Sequence, residues 1–136
     1  MNAVSRENRK QMKGLKRLKS SLGFAYEGIK YSFKDEQSIK IHFLVSILVI
    51  IASIIFRISI IEWIIVIFCI GLMLAFELIN TSIEAVVDLI TEEKKPLAKV
   101  AKDVIAGASV VFALTSVIIG IIIFLPKLIF VLKGLL

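Results

Sequence analysis

The chain has 136 residues, 58% of them hydrophobic, with a formal net charge of +6 and a mean hydropathy of +0.93. A soluble domain of this length cannot hide so much apolar surface, so the composition excludes a water-soluble globule and points to an integral membrane protein. The basic excess then reads as membrane topology and contact with anionic headgroups, not as a nucleic-acid interface, because no aromatic-basic platform accompanies it.

Residues 1–11 are polar and basic and read as a loose end. The polar-to-amphipathic character of the first 40 residues does not fit a signal peptide, so the N-terminus is expected to be retained. From about 12 to 34, Leu15, Leu18, Leu22, Ala25, Ile29 and Phe33 recur at spacings of three and four. That spacing predicts one apolar face of an amphipathic helix, with Lys13, Lys16, Arg17, Lys19 and Lys30 on the remaining surface. Such a helix lies in the headgroup plane, or packs as an ordinary soluble helix.

Three apolar spans follow, at about 39–56, 58–90 and 98–125, each near the length a bilayer requires. The corner at Arg57–Ser59 is short, so the first two form a tight antiparallel hairpin, and Pro126 is expected to end the third. The expected fold is an all-α integral membrane protein, with an N-terminal amphipathic surface helix plus three transmembrane helices in one domain over 1–136. Cys69, the sole cysteine, reads as a small apolar filler within a span.

Ten of the 17 lysines and arginines lie in residues 1–40, and four (Lys94, Lys95, Lys99, Lys102) lie between the second and third spans. The positive-inside rule places the N-terminus and the 92–103 loop in the cytoplasm and the C-terminus outside. Along the third span Ala106, Ser109, Ala113, Ser116 and Gly120 share one face, which is expected to pack against another helix.

The second span runs without a charge from Trp63 to Phe76 and then into ELINTSIEAVVD, residues 77–88. At 100° per residue Glu77, Asn80, Glu84 and Asp88 fall within an arc of about 80°, opposite Ile79, Ile83 and Val86. Glu77 lies about 28 Å along the helix from Ile58, near the inner membrane boundary, and Glu84 and Asp88 lie further into the cytoplasm. A boundary carboxylate often only marks the end of a span, but four polar groups in one stripe argue for a task. Asp35 and Glu36 precede the first span on the same side, and Lys102 and Asp103 precede the third. Carboxylates at such a face can hold Mg²⁺ together with phosphates, and one at the boundary can take a proton from a lipid hydroxyl. Those are the parts phosphoryl transfer needs, although there is no Walker loop and these residues alone do not demand a nucleotide. His42 reads first as an interfacial packing or headgroup residue.

ELINTSIEAVVD resembles the motif E-x-x-N-[ST]-x-[IV]-E-x-x-[LIV]-D of the prokaryotic diacylglycerol kinase family. Lys102–Asp103 followed by AGAS at 106–109 resembles its second block, and FKDEQSIKIH at 33–42 resembles the block before its first span. The resemblance covers about residues 15–125. It implies a small membrane kinase that uses ATP with Mg²⁺ and assembles as a homotrimer with active sites shared between chains. It also implies Glu77 as the catalytic base and Glu36 and Glu84 as the metal-binding carboxylates. Asn80, Lys102 and Asp103 match nucleotide or active-site contacts, and Arg17 matches a basic residue of the surface helix near the nucleotide. Asp88 belongs to the motif without an assigned role. The family has a diacylglycerol branch and an undecaprenol branch. His42 and Ala106 replace an acidic residue and a serine of the first, which favours undecaprenol as acceptor and leaves diacylglycerol as the alternative. Two readings from other classes compete: a small proton-coupled transporter subunit, which would need ionisable groups at the bilayer midplane, and a non-catalytic adaptor, which leaves the carboxylate stripe unexplained.

Overall fold

The computed structural model describes residues 14–91, 93 and 95–135, and the described residues form four helices and no strand. These are α1 (Gly14–Asp35), α2 (Gln37–Ile55), α3 (Ile60–Ile90) and α4 (Pro96–Leu135). Residues 1–11, Met12, Lys13 and Lys94 lie outside the described residues. The chain divides after Asp35 into two compact units.

The first unit carries α1. Leu15, Leu18, Leu22 and Ile29 all leave their side chains exposed, as do Lys16, Arg17, Lys19 and Lys30. An uncovered apolar face bordered by cations suits a helix lying at a membrane surface.

The second unit carries α2, α3 and α4, each long and apolar enough to cross a membrane. In hydrocarbon every backbone N–H and C=O needs an internal partner, and a continuous helix provides it. Several hydroxyls within these helices bond back one turn in the same way: Ser46 donates to the His42 carbonyl at 2.7 Å, Ser53 to that of Val49 at 2.8 Å and Thr115 to that of Val111 at 2.9 Å, whereas the Ser109 and Ser116 hydroxyls of α4 are buried without a partner.

The α2–α3 corner is built from local hydrogen bonds. Phe56 caps α2, Arg57 takes a left-handed conformation (φ 48°), and the Arg57 and Ile58 amides donate to the Ile54 and Ser53 carbonyls, both at 3.2 Å. This is the Schellman arrangement, which satisfies two carbonyls that the helix end would otherwise orphan. It also turns Ile58 inward, where it meets Val66 and Ile123 in a small core flanked by Phe56, Trp63 and Phe124. Ser59 then opens α3 with a capping box. Its hydroxyl accepts from the Glu62 amide at 3.3 Å, and the Glu62 carboxylate accepts from the Ser59 amide at 2.6 Å. The other oxygen of Glu62 reaches Lys127 on α4 at 2.9 Å, tying this end of the two helices together.

Pro96 occupies the first position of α4, where its missing N–H costs nothing. The helix does not stop at Leu125. It continues through Pro126 to Leu135. Proline removes one hydrogen bond, to the carbonyl four residues back, whereas leaving the helix inside hydrocarbon would strand several backbone groups, and the larger penalty decides.

α3 packs against both α2 and α4. Phe76 and Phe112 join α3 to α4 with ring centroids 5.3 Å apart. Even so, only 11–17% of each apolar stretch is buried within the chain, so most apolar side chains face outward and need lipid or protein to cover them.

Candidate active site

The C-terminal half of α3 carries polar groups into the second unit's interior. Glu77 is 4% exposed, Asn80 9% and Thr81 5%. The Thr81 hydroxyl bonds back to the Glu77 carbonyl at 3.0 Å, and the Glu77 side chain points toward α2. There the Ser38 hydroxyl donates to Oε2 of Glu77, and His42 Nε2 lies 3.7 Å from Oε1. Ser38 and His42 are four residues apart and so share one face of α2, which is why both reach the same carboxylate.

A groove of about 380 Å³ opens at this cluster. Ser38, His42, Glu77 and Asn80 form its polar end, and Ala106, Ala113 and Val117 of α4 form its apolar side, interrupted by the Ser109 hydroxyl, which is buried without a partner. A second groove of about 320 Å³ shares His42, Ala113 and Val117 with the first and continues past Ser116 and Gly120. Residues of the small-residue stripe of α4 therefore line both grooves. A Cβ added at Gly120 would meet nothing within 4 Å. Small side chains allow close approach, but where the neighbouring helix does not close in they leave space.

One turn beyond Glu77, Asn80 Nδ2 donates to Oε1 of Glu84 at 2.9 Å, while Asn80 Oδ1 is buried without a partner. A further turn on, Asp88 Oδ1 receives Lys102 Nζ of α4 at 2.6 Å. Glu84 and Glu36 also lie within Coulombic range of the Lys102 ammonium. Glu36, Glu84, Asp88 and Lys102 thus make a charged cluster beyond the Glu77 groove. Asp103 turns away from it and pairs with Lys99, four residues earlier on its own helix. Arg17 stands exposed on α1, in the other unit.

Among the described residues no three His, Cys, Asp or Glu side chains converge as a metal cage. The oxygen donors present suit a hard cation that shares its coordination between one or two carboxylates and substrate phosphates. Glu84 is steered by Asn80, whose own buried carbonyl oxygen lacks a partner. Ser38 and the Asp88–Lys102 pair are the site features that sequence reading did not single out. The four-residue spacing from Ser38 to His42 was the available signal for the first.

Residues 23–124 match the prokaryotic diacylglycerol kinase family. The undecaprenol kinase of Bacillus subtilis (strain 168) is 46% identical over 114 residues, covering 84% of this chain and 93% of that protein. A diacylglycerol kinase of Synechocystis sp. is 34% identical over 109 residues, 79% of this chain and 62% of that protein. One from Helicobacter pylori is 32% identical over 99 residues, 73% of this chain and 77% of that protein. Nothing supports the transporter or adaptor readings against a match that spans three helices and every motif quoted above. The chain belongs to the prokaryotic diacylglycerol kinase family, the membrane-embedded lipid kinases.

Proposed function

We propose that this chain phosphorylates undecaprenol to undecaprenyl phosphate, using ATP with Mg²⁺ at the cytoplasmic face of a bacterial plasma membrane. The observation that carries the chemistry is the buried Glu77 carboxylate at the head of an apolar groove: a base at the point where a lipid hydroxyl would arrive. The acceptor rests on the 46% identity with an undecaprenol kinase over nearly its whole length. Diacylglycerol remains the second reading, since the relatives at 32–34% identity are diacylglycerol kinases.

In this mechanism Glu77 takes the proton of the acceptor hydroxyl, and the freed oxygen attacks the γ-phosphorus of ATP. Asn80 orients Glu84 and lends its own carbonyl oxygen to the site. Lys102 leaves Asp88 to meet phosphate charge. Glu36 and Glu84 are the carboxylates that would hold Mg²⁺, which when bound offsets the charge of the phosphates. Asp103 and Arg17 are assigned to nucleotide contacts, Asp103 by exchanging its Lys99 partner. A homotrimer with shared active sites accompanies this reading, supported by the apolar surface each chain leaves uncovered. The N-terminus is cytoplasmic and the C-terminus outside, following the lysine and arginine distribution.

A competition assay tests the proposal. The protein, purified in mild detergent with Mg²⁺ and labelled ATP, is offered undecaprenol and diacylglycerol together. Label chiefly in undecaprenyl phosphate is the expected result. Label chiefly in phosphatidic acid keeps the mechanism and replaces the acceptor, and no label in either from folded protein overturns the kinase reading.

A further inference from the structure

A base that takes a proton on every turnover must also lose it, and Glu77 is badly placed to lose one to water. Its side chain is 5% exposed, and it sits among Ser38, Asn80 and the small residues of α4. Its two oxygens are not equivalent. Oε2 accepts the Ser38 hydroxyl, while Oε1 faces His42 Nε2 at 3.7 Å. The His42 side chain is 28% exposed and lines both grooves, so one ring reaches the buried carboxylate and the surroundings of the helix bundle at once.

We propose that His42 carries away the proton that Glu77 receives, and that Ser38 is a positioning residue holding Oε2 so that Oε1 stays on the His42 side. The proposal rests on the reading of Glu77 as the base of a lipid kinase. Imidazole is the side chain that accepts and releases protons between about pH 5 and 8. Ser38 also touches Glu77 and is half-buried, but its hydroxyl does not take up a proton in that range, whereas an imidazole does. α3 presents Glu77 itself to His42. The α4 residues of the two grooves are uncharged, and Cys69 of α3 is the one further ionisable group along the second groove. On α2 itself Glu36 and Lys40 lie within two turns. The Thr81 hydroxyl is committed to the Glu77 carbonyl.

The steps balance. The proton of the acceptor O–H passes to Oε1 of Glu77. The electron pair left on that oxygen forms the new bond to the γ-phosphorus, and the bond from that phosphorus to the bridging oxygen breaks, ADP leaving with its electron pair. The Glu77 carboxylic acid then gives its proton to Nε2 of neutral His42, which needs about 1 Å of approach or less. The imidazolium releases a proton to water, and carboxylate and imidazole are restored. Each turnover thus delivers one proton to solvent.

The test is steady-state kinetics of the full chain in detergent micelles with Mg²⁺, ATP and undecaprenol, between about pH 5 and 9. Wild type is compared with His42→Ala, His42→Gln, Ser38→Ala and Glu77→Gln. With the proton path in place, both His42 variants lose kcat by on the order of 10²-fold while KM for lipid stays within about twofold. Added free imidazole restores turnover in His42→Ala, with a pH dependence following the neutral imidazole fraction. Ser38→Ala loses less, and imidazole does not restore it. The proposal is overturned by His42 variants that keep wild-type kcat at every pH, by variants that change only KM for lipid, or by folded His42→Ala that imidazole leaves unrestored. If wild type itself transfers no phosphate to any lipid, the kinase reading fails with it. If wild type is active, Glu77→Gln is inactive and the His42 variants are unaffected, the proton path alone fails.

Discussion

Lys102 of α4 and Asp88 of α3 meet at 2.6 Å, 14 residues apart in the chain, where the two helices come together beyond the Glu77 groove. Their side chains are 35% and 64% exposed, so the contact is an open ion pair of small structural worth. An open pair is easily exchanged, which suits a lysine that must turn to a phosphate. Lys102→Met is expected to lower kcat/KM for ATP by on the order of 10²-fold. Asp88→Asn, which keeps the lysine and removes only its resting partner, should change it by less than about fivefold. Equal losses in the two variants would show that Asp88 itself works on the substrate.

Glu77 combines burial with a carboxylate, which suits a base and burdens the fold. Glu77→Gln keeps the shape and still accepts the Ser38 hydroxyl, but it can no longer take a proton. Transfer should fall by on the order of 10²- to 10⁴-fold while ATP binding persists and Tm does not drop. Turnover retained in this variant would defeat the assignment.

Much of the architecture was legible because the bilayer enforces it: apolar runs of span length become helices, and the periodicity of Leu15, Leu18, Leu22 and Ile29 gives the uncovered face of α1. The stripe from Glu77 to Asp88 was legible because helical spacing fixes angle. What the residues on other helices do with that stripe was not. Asp103 looked like part of the cluster from its place in the chain, yet it turns to Lys99, one helical turn away. Ser38 carries no charge and gave no composition signal. It matters because α2 and α3 pack together, which is a tertiary fact. Pro126 misled for a different reason. The rule that proline stops a helix assumes that water is ready to take the orphaned groups, and within an apolar segment it is not.

The Asn80–Glu84 bond, at 2.9 Å, gives a prediction about metal use. Partners that orient a ligand typically contribute 10- to 100-fold in metal affinity. Both Glu84→Gln and Asn80→Ala should therefore raise the Mg²⁺ concentration needed for half-maximal rate, by about that range, with Asn80→Ala the milder. EDTA should abolish wild-type transfer and excess Mg²⁺ restore it. Measuring rate against free Mg²⁺ at saturating ATP checks both claims, and an unchanged Mg²⁺ requirement in Glu84→Gln would remove Glu84 from the metal site.

The far end of the bundle supplies the contrasting case. Ser59 caps α3 and Glu62 completes the capping box while reaching Lys127 of α4. Glu62 lies 15 residues before Glu77, about 22 Å along the helix, so this end holds the fold without touching the chemistry. Ser59→Ala should destabilise the protein by about 1 kcal/mol, seen as a lower Tm in detergent, because the Glu62 amide loses its acceptor. Glu62→Gln should lower Tm as well, because the pair with Lys127 loses its charge and the box its carboxylate. In both variants kcat and KM at a temperature well below Tm should match wild type. A fall in kcat without a fall in Tm would mean that this clamp communicates with Glu77 through α3, and the two ends could then no longer be treated as independent.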